Sequence, residues 1–565
     1  MKEYTRLIFL FTLMIAHSLL AESIPYRNVM YYGESSIYSG QKNFYPSKID
    51  ANLITHLIFA FLDFNSNGDL VLVDEYADFQ TVTLPELDGI NFSGPYAGIF
   101  GAMSILKVKH SHLKLGVSVG GATRSGDFDE ISRDKLKRQN FANNLAKFIV
   151  SVGFDFIDIN LDTPNLETVK EFPRNLDESE NLVLLLKEIR NELDAVQRDG
   201  RKYEIAFTMP GSPEMLSKVQ YDEVLKLVNF TNLITYDLNV ASYSYTLHHS
   251  PLYTNKEYPT DAILDAHYSV DDTIKFLEDT YQNTIDMTKI VIGVAPYTRA
   301  WSGVKDNGSD KDNPGLYAYA TPNSVRSVDG TTSGIYGFHD LPSLIKQFGL
   351  IEFFDEKAKA AYYYSPKTGY FFSCDNEESV AAKGKYVRDK GLGGLFMWMA
   401  SYDAENRITK AMFSSLYEKG YTFPKRELIY KLISISSTIK ATETGYDFTI
   451  QNNAMITETN PALRDAELFQ NSIVNMIVTI ITKSGTEFIP DNKSGTIVNE
   501  NGVAIIDPSS NPDARIVPPN YGRYTFSVKI NGTSSFDDIR SIYVSQRILP
   551  SMSEFKKRIV YDKRD

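Results

Sequence analysis

The sequence predicts an α/β chain: a parallel (β/α)8 TIM barrel with an α+β insertion between strands 7 and 8, followed by an all-β, immunoglobulin-like sandwich. Three observations carry this. From about residue 27 to 415, eight short apolar runs alternate with longer mixed segments, as strand–helix units do. The interval from Trp301 to about Lys390 is far too long for one helix and contains the β-rich runs 318–321 and 361–372. After about Phe423 the texture changes to Val/Ile/Tyr/Phe alternation, with turn clusters at 508–512 and 518–522 and little helical period.

Taken in order, residues 1–23 read as a secretory signal peptide, so the protein is expected to be secreted. Lys2 and Arg6 precede the apolar run 7–16, and the small residues Ala21 and Ser23 suit a peptidase. That run is too short to anchor the chain, and no later one reaches membrane-spanning length. The barrel is expected over 24–420, with strands at 28–32, 56–62, 114–119, 154–162, 204–210, 233–238, 290–296 and 394–399. Helix-like segments such as 135–152 and 178–197 lie between them. The insertion is expected at about 302–390, and the sandwich at 425–565. The sandwich carries no chemical signature, so its expected role is spacer or a module for a protein partner.

With 565 residues, 43% of them hydrophobic, the chain is globular and too long for one core. A net charge of −13 without any basic tract argues against nucleic acid or an anionic membrane as partner. A single cysteine, Cys374, excludes internal disulfides and is expected to be a buried small residue, since no Cys/His arrangement surrounds it. No cofactor motif and no metal-ligand spacing is found; His248 and His249 are expected to serve loop packing or the surface.

The most informative stretch is 154–162, Phe-Asp-Phe-Ile-Asp-Ile-Asn-Leu-Asp. Period-two alternation reads as a strand with Asp158, Asn160 and Asp162 on one face. Phe156, Ile157, Ile159 and Leu161 fall in the packing layers. Buried carboxyl and amide groups in single file are costly unless they bond one another or do chemistry. In such barrels reactive groups sit at the C-terminal strand ends, where Asp162, Tyr236, Asp237 and Trp398 fall.

Five motifs in order resemble those of the family 18 glycoside hydrolases, the chitinase group, across nearly the whole barrel. The row 154–162 aligns with the family's fourth-strand acidic row ending in its catalytic glutamate. Lys114-Leu-Gly-Val-Ser-Val-Gly-Gly121 is similar to its Ser-x-Gly-Gly motif, and Ile234-Thr-Tyr-Asp237 to its Met-x-Tyr-Asp motif. Gly293-Val-Ala-Pro-Tyr-Thr-Arg-Ala-Trp301 resembles its seventh strand and Gly391-Leu-Gly-Gly-Leu-Phe-Met-Trp398 its eighth. The resemblance implies chitin or N-acetylglucosamine oligosaccharides as ligand, no cofactor, and the substrate's own acetamide as nucleophile. It assigns Asp162 to the acid position, Asn160 to the charge-stabilising position and Asp158 to the inner acid. Tyr236 and Asp237 become acetamide contacts and Trp398 the floor. Tyr31, Ser118, Gly120, Tyr297 and Arg299 match substrate-contacting or pocket-wall positions.

Two departures fall on the atoms that matter. Asp162 is one methylene shorter than the family's glutamate, so the proton donor retreats by roughly an ångström or more. Asn160 replaces the usual aspartate, and an amide can neither stabilise the oxazolinium ion nor raise the acid's pKa. Asp162 is therefore expected to be a poorer acid near neutrality. Ala122 stands where many relatives carry an aromatic, Ser242 or Tyr243 where they often have a tryptophan, and Phe156 replaces a family glycine, expected to shift strand four slightly. Glu167, the nearest glutamate, is expected to be a solvated helix-start residue. The favoured expectation is a secreted chitinase-like protein that binds chitin with hydrolysis weak or lost. Against it stand an active endochitinase and a structural subunit of a secreted assembly such as a toxin complex.

Overall fold

The computed structural model describes residues 24–81, 83–85, 98–162, 172–197, 202–255, 268–282, 284–306, 308, 311–327, 330–425, 435–456, 471–474, 476–483, 485–508, 510–511, 514, 516–531, 538–546 and 556–562. The expected leader and Glu167 lie outside them.

Eight parallel strands close a barrel: β1 (Arg27–Gly33), β2 (His56–Phe64), β3 (Lys114–Gly120), β4 (Phe156–Asn160), β5 (Glu204–Pro210), β6 (Phe230–Ile234), β7 (Ile290–Val294) and β8 (Gly394–Met397). Each pairs with its chain neighbour, and β1 pairs with both β8 and β2 to complete the ring. The helices predicted at 135–152 and 178–197 form as Lys135–Val152 and Leu176–Ala195. Asp134 caps the first by accepting the Leu136 and Lys137 amides, and Gly153 ends it at φ 71°.

Alternation sorts every strand into two layers. On β4, Ile157 and Ile159 face out into the core under the helices, whereas Phe156, Asp158 and Asn160 face the barrel axis. Phe156 therefore shares the face of the polar row. Its ring meets His56 and Phe230, at 5.3 and 5.9 Å between centroids, and these three close the N-terminal end of the barrel. Gly116 on β3 makes the room, since a Cβ there would lie 2.3 Å from the Phe156 ring. Gly116 pairs with Phe156 and Ser118 with Asp158 in unbroken register.

Four strands end earlier than the sequence predicted, β7 at Val294 and β8 at Met397 among them. β4 stops at Asn160, and β6 runs Phe230–Ile234 rather than 233–238. Asp237 has φ 54°, a left-handed conformation no ladder accommodates, so Tyr236 and Asp237 lie on the loop beyond the strand end.

The insertion is an antiparallel sheet of Tyr319–Thr321, Arg299–Lys305, Tyr370–Ser373, Ala360–Ser365 and Ile351–Asp355, with the helix Leu341–Phe348. Tyr362, Tyr363 and Tyr364 are buried sheet residues, and Cys374 is buried beside them, its thiol pushed well up by burial. After Ser373 the helix Glu377–Lys390 packs on Arg407–Leu416 and β8, as a barrel helix does.

Beyond the barrel, two antiparallel sheets of four and five strands form the sandwich. Phe448, Ile450 and Phe526 from one sheet and Val478, Ile480 and Ile506 from the other share one core.

Candidate active site

At the C-terminal end of the barrel a cavity of about 650 Å³ is lined by Tyr31, Phe61, Ala122, Asn160, Asp162, Thr208, Ile234, Tyr236, Asp237, Tyr297, Arg299, Ile335, Trp398 and Tyr402. Eight of the eleven residues singled out in the sequence are on this lining. Asp158, Ser118 and Gly120 are not.

Asp158 lies beneath the cavity and is fully buried. It accepts hydrogen bonds from the hydroxyls of Tyr31 at 2.8 Å, Ser118 at 2.6 Å and Thr208 at 2.7 Å, and one from the Asn160 side chain. Burial nonetheless holds its carboxyl above the ordinary value, and these donors partly offset it. Asn232 supports the network, donating at 3.1 Å to both the Tyr31 and Thr208 hydroxyls. Gly120 is a backbone position: its φ is 102° and a Cβ would lie 2.4 Å from the Asn160 carbonyl. Asp155, at the foot of the strand, accepts the Leu115 amide and pairs with Lys107, both at 2.9 Å, away from the cavity.

Asn160 uses both ends of its amide. Its nitrogen serves Asp158, and its oxygen accepts the Asp162 backbone N–H at 3.2 Å. Asp162 thus stands two residues past the strand end with its carboxyl at the cavity. Burial, and next the charge of Asp237, push that carboxyl up to about 7. The expectation of a poorer acid near neutrality is corrected on this point. Asn160 supplies no upward push, but desolvation and Asp237 do.

Asp237 is gripped on every side. Arg299 donates from Nε to Oδ1 at 2.7 Å and from Nη2 to Oδ2 at 2.6 Å. The Tyr297 hydroxyl donates to Oδ2 at 2.8 Å, and His249 Nδ1 lies 3.3 Å from Oδ1. Burial opposes ionisation here too, but Arg299 and His249 outweigh it and hold this carboxyl well below the usual range. The Tyr236 phenol is pushed well up, first by burial and then by Asp162, so it stays a neutral donor. Its ring fits because Gly293 carries no side chain; a Cβ there would lie 2.7 Å away.

Trp398 forms one side of the cavity. It stacks on Phe61 with centroids 5.4 Å apart and leans on Tyr31 at 5.5 Å.

Sequence reasoning missed Phe61, Thr208, Ile335 and Tyr402 on the lining. Thr208 was within reach, since period-two alternation on β5 puts it on the inward face with Ala206. His248 and His249 were expected at the surface or in loop packing, and the packing is what is found. Both are buried, His248 against Asp355 at 3.2 Å and His249 against Asp237.

A sequence model described as glycosyl hydrolases family 18 matches residues 27–403. The chain is 28% identical over 381 residues to Chitinase 1 of Aphanocladium album, covering 66% of this chain and 81% of that one. It is 27% identical over 427 residues to Chitinase A1 of Niallia circulans, covering 71% of this chain and 60% of that one. In fold it is similar to the chitinase ChiA74 from Bacillus thuringiensis, with TM-score 0.62, 21% identity, and coverage of 92% and 100% of the two chains. It is likewise similar to the catalytic domain of chitinase B from Arthrobacter TAD20, with TM-score 0.60, 23% identity, and coverage of 71% and 98%.

Proposed function

The chain belongs to glycosyl hydrolases family 18, and from that premise we propose that it is a secreted chitinase-like protein that binds β-1,4-linked N-acetylglucosamine glycans in the cavity beside Asp162 and hydrolyses them slowly. The observation that carries this reading is the position of Asp162. It faces a cavity shared with Tyr236, Asp237 and Trp398, and its carboxyl holds its proton up to about pH 7.

In this reading a sugar lies against Trp398, and its acetamide turns toward Tyr236 and Asp237. The acetamide oxygen attacks the anomeric carbon from within the substrate, and Asp162 gives its proton to the departing glycosidic oxygen. Tyr236 donates to the acetamide, and Arg299 and Tyr297 keep Asp237 charged and fixed. Asp158 and Ser118 hold Asn160 and Tyr31 from below, and Gly120 lets β3 approach β4. Asp162 has the protonation state an acid needs, but its carboxyl ends about 1.5 Å short of where a glutamate's would. Asn160 brings no charge to the oxazolinium ion, so both shortfalls act on one step.

One observation favours a fully active endochitinase instead: the raised pKa of Asp162 supplies the protonation state that a neutral Asn160 was expected to deny it. Turnover of a fluorogenic chitobioside, read with calorimetry on chitin oligomers, separates the readings. Binding with turnover at least about a hundredfold below that of an ordinary family member supports the slow-enzyme reading. Full turnover supports the endochitinase, and absence of any binding leaves a structural role in a secreted assembly.

A further inference from the structure

The cavity beside Asp162 does not end at its own walls. Ile335 and Tyr402 also line a second, open recess, whose other walls are Gly40–Lys42 on the loop after β1 and Tyr336, Gly337, His339 and Asp340 at the edge of the insertion. The two banks of this recess are joined at its rim, where Lys42 Nζ pairs with Asp340 Oδ1.

Both partners are held for this contact. Lys42 and Asn43 have φ of 57° and 49°, consecutive left-handed residues without a glycine. Such conformations persist only where the surroundings over-determine them, and they gather at ligand clamps. The loop is pinned by Ser401, whose hydroxyl donates to Gln41 Oε1 at 3.0 Å, and by the Asn43 amide on the Tyr38 carbonyl at 3.0 Å. On the other bank Asp340 Oδ2 accepts the Gly337 amide at 3.2 Å and lies 3.5 Å from His339 Nε2. His339 is fixed in turn, Nδ1 to the Tyr402 carbonyl at 3.1 Å.

We propose that Lys42 and Asp340 form a bar across the far end of the cleft and set how many sugars it accepts. The inference rests on the glycan-binding reading and adds a specificity-determining pair to it. One sugar occupies the cavity beside Asp162 and a second the recess. A third must part the ion pair, which an exposed pair permits only at a cost in affinity. Lys42 keeps 55% of its side-chain surface in solvent, so the bar is salt-sensitive.

The test is calorimetry with N-acetylglucosamine di-, tri- and tetramers on the full chain, its Lys42→Ala and Asp340→Ala variants, and the swapped pair Lys42→Asp/Asp340→Lys. In the unaltered protein, affinity is expected to level off at the dimer. Each single variant, and 0.5 M salt on the unaltered protein, should raise tetramer affinity relative to dimer about threefold or more, and the swap should restore the plateau. Identical length dependence in all four proteins overturns the bar. If the unaltered protein binds no oligomer of any length, the glycan reading itself has failed and takes the bar with it.

Discussion

Arg299 holds both carboxylate oxygens of Asp237, Nε to Oδ1 at 2.7 Å and Nη2 to Oδ2 at 2.6 Å, and Asp237 is the charge that helps lift Asp162. The residue that keeps Asp237 ionised therefore also tunes the proposed acid. Arg299 acts on Asp162 directly in the opposite sense, pulling its pKa down.

Arg299→Met should leave Asp237 with Tyr297 and His249 alone. Breaking a fully buried pair costs about 3–5 kcal/mol. Asp237 keeps 29% of its side-chain surface exposed, so a loss nearer about 2 kcal/mol is expected in urea denaturation. Adding Asp237→Asn should recover part of it, because no uncompensated charge remains. A single variant as stable as the parent would show that the pair is held for positioning alone.

Stability should fall as pH rises through neutrality. Asp162 and Glu34 are both raised to about 7, each first by burial. Beside Glu34 and sharing a side-chain hydrogen bond with it, Asp78 is 1% exposed, and it too is raised, by burial and then by Glu34. Groups with raised folded values bind more protons in the folded state. Their contribution is full below the ordinary carboxylate value and is lost as pH passes about 7. Asp237 and Glu204 are held low, so their contribution fails instead in strong acid. Denaturation midpoints at pH 5.5 and 8.5 check this. The midpoint should be higher at 5.5, and Glu34→Gln or Asp162→Asn should each narrow the difference.

The barrel was legible because each strand carries its own apolar run, and eight of them recur between helices. The site row was legible because no core strand needs Asp158, Asn160 and Asp162 in alternation. What sequence hid was set by neighbours remote in the chain. The acidity of Asp162 depends on Asp237, across two barrel strands. His248 and His249 look like loop polars until Asp355 and Asp237 are found beside them, 107 and 12 positions away. The expected strand ranges also overran the ends of β4, β6, β7 and β8, and on β6 alternation cannot see that Asp237 turns left-handed.

Asp162→Glu together with Asn160→Asp should raise chitobioside turnover by about a hundredfold, as the acid regains its reach and a charge faces the oxazolinium ion. A stability cost accompanies it, because Asp158 loses the Asn160 amide donor. Asp162→Glu alone should recover only part of the gain. No response to the double change would place the defect in the cavity walls, Ala122 among them.

The last prediction concerns how the barrel admits the Phe156 ring beside Gly116. Phe156 is fully buried and touches His56 and Phe230, so Phe156→Ala should cost about 3–5 kcal/mol through the cavity it leaves. Gly116→Ala pushes a methyl to 2.3 Å from the same ring, and should cost about 1–3 kcal/mol by overpacking. If the two positions exchange volume, the methyl of Gly116→Ala has room once the ring is gone. The double variant should then be more stable than the sum of the single losses predicts, by about 1 kcal/mol or more in a denaturation cycle. Strict additivity would mean that β3 already yields to the ring by a backbone shift, and that Gly116 is not what admits Phe156.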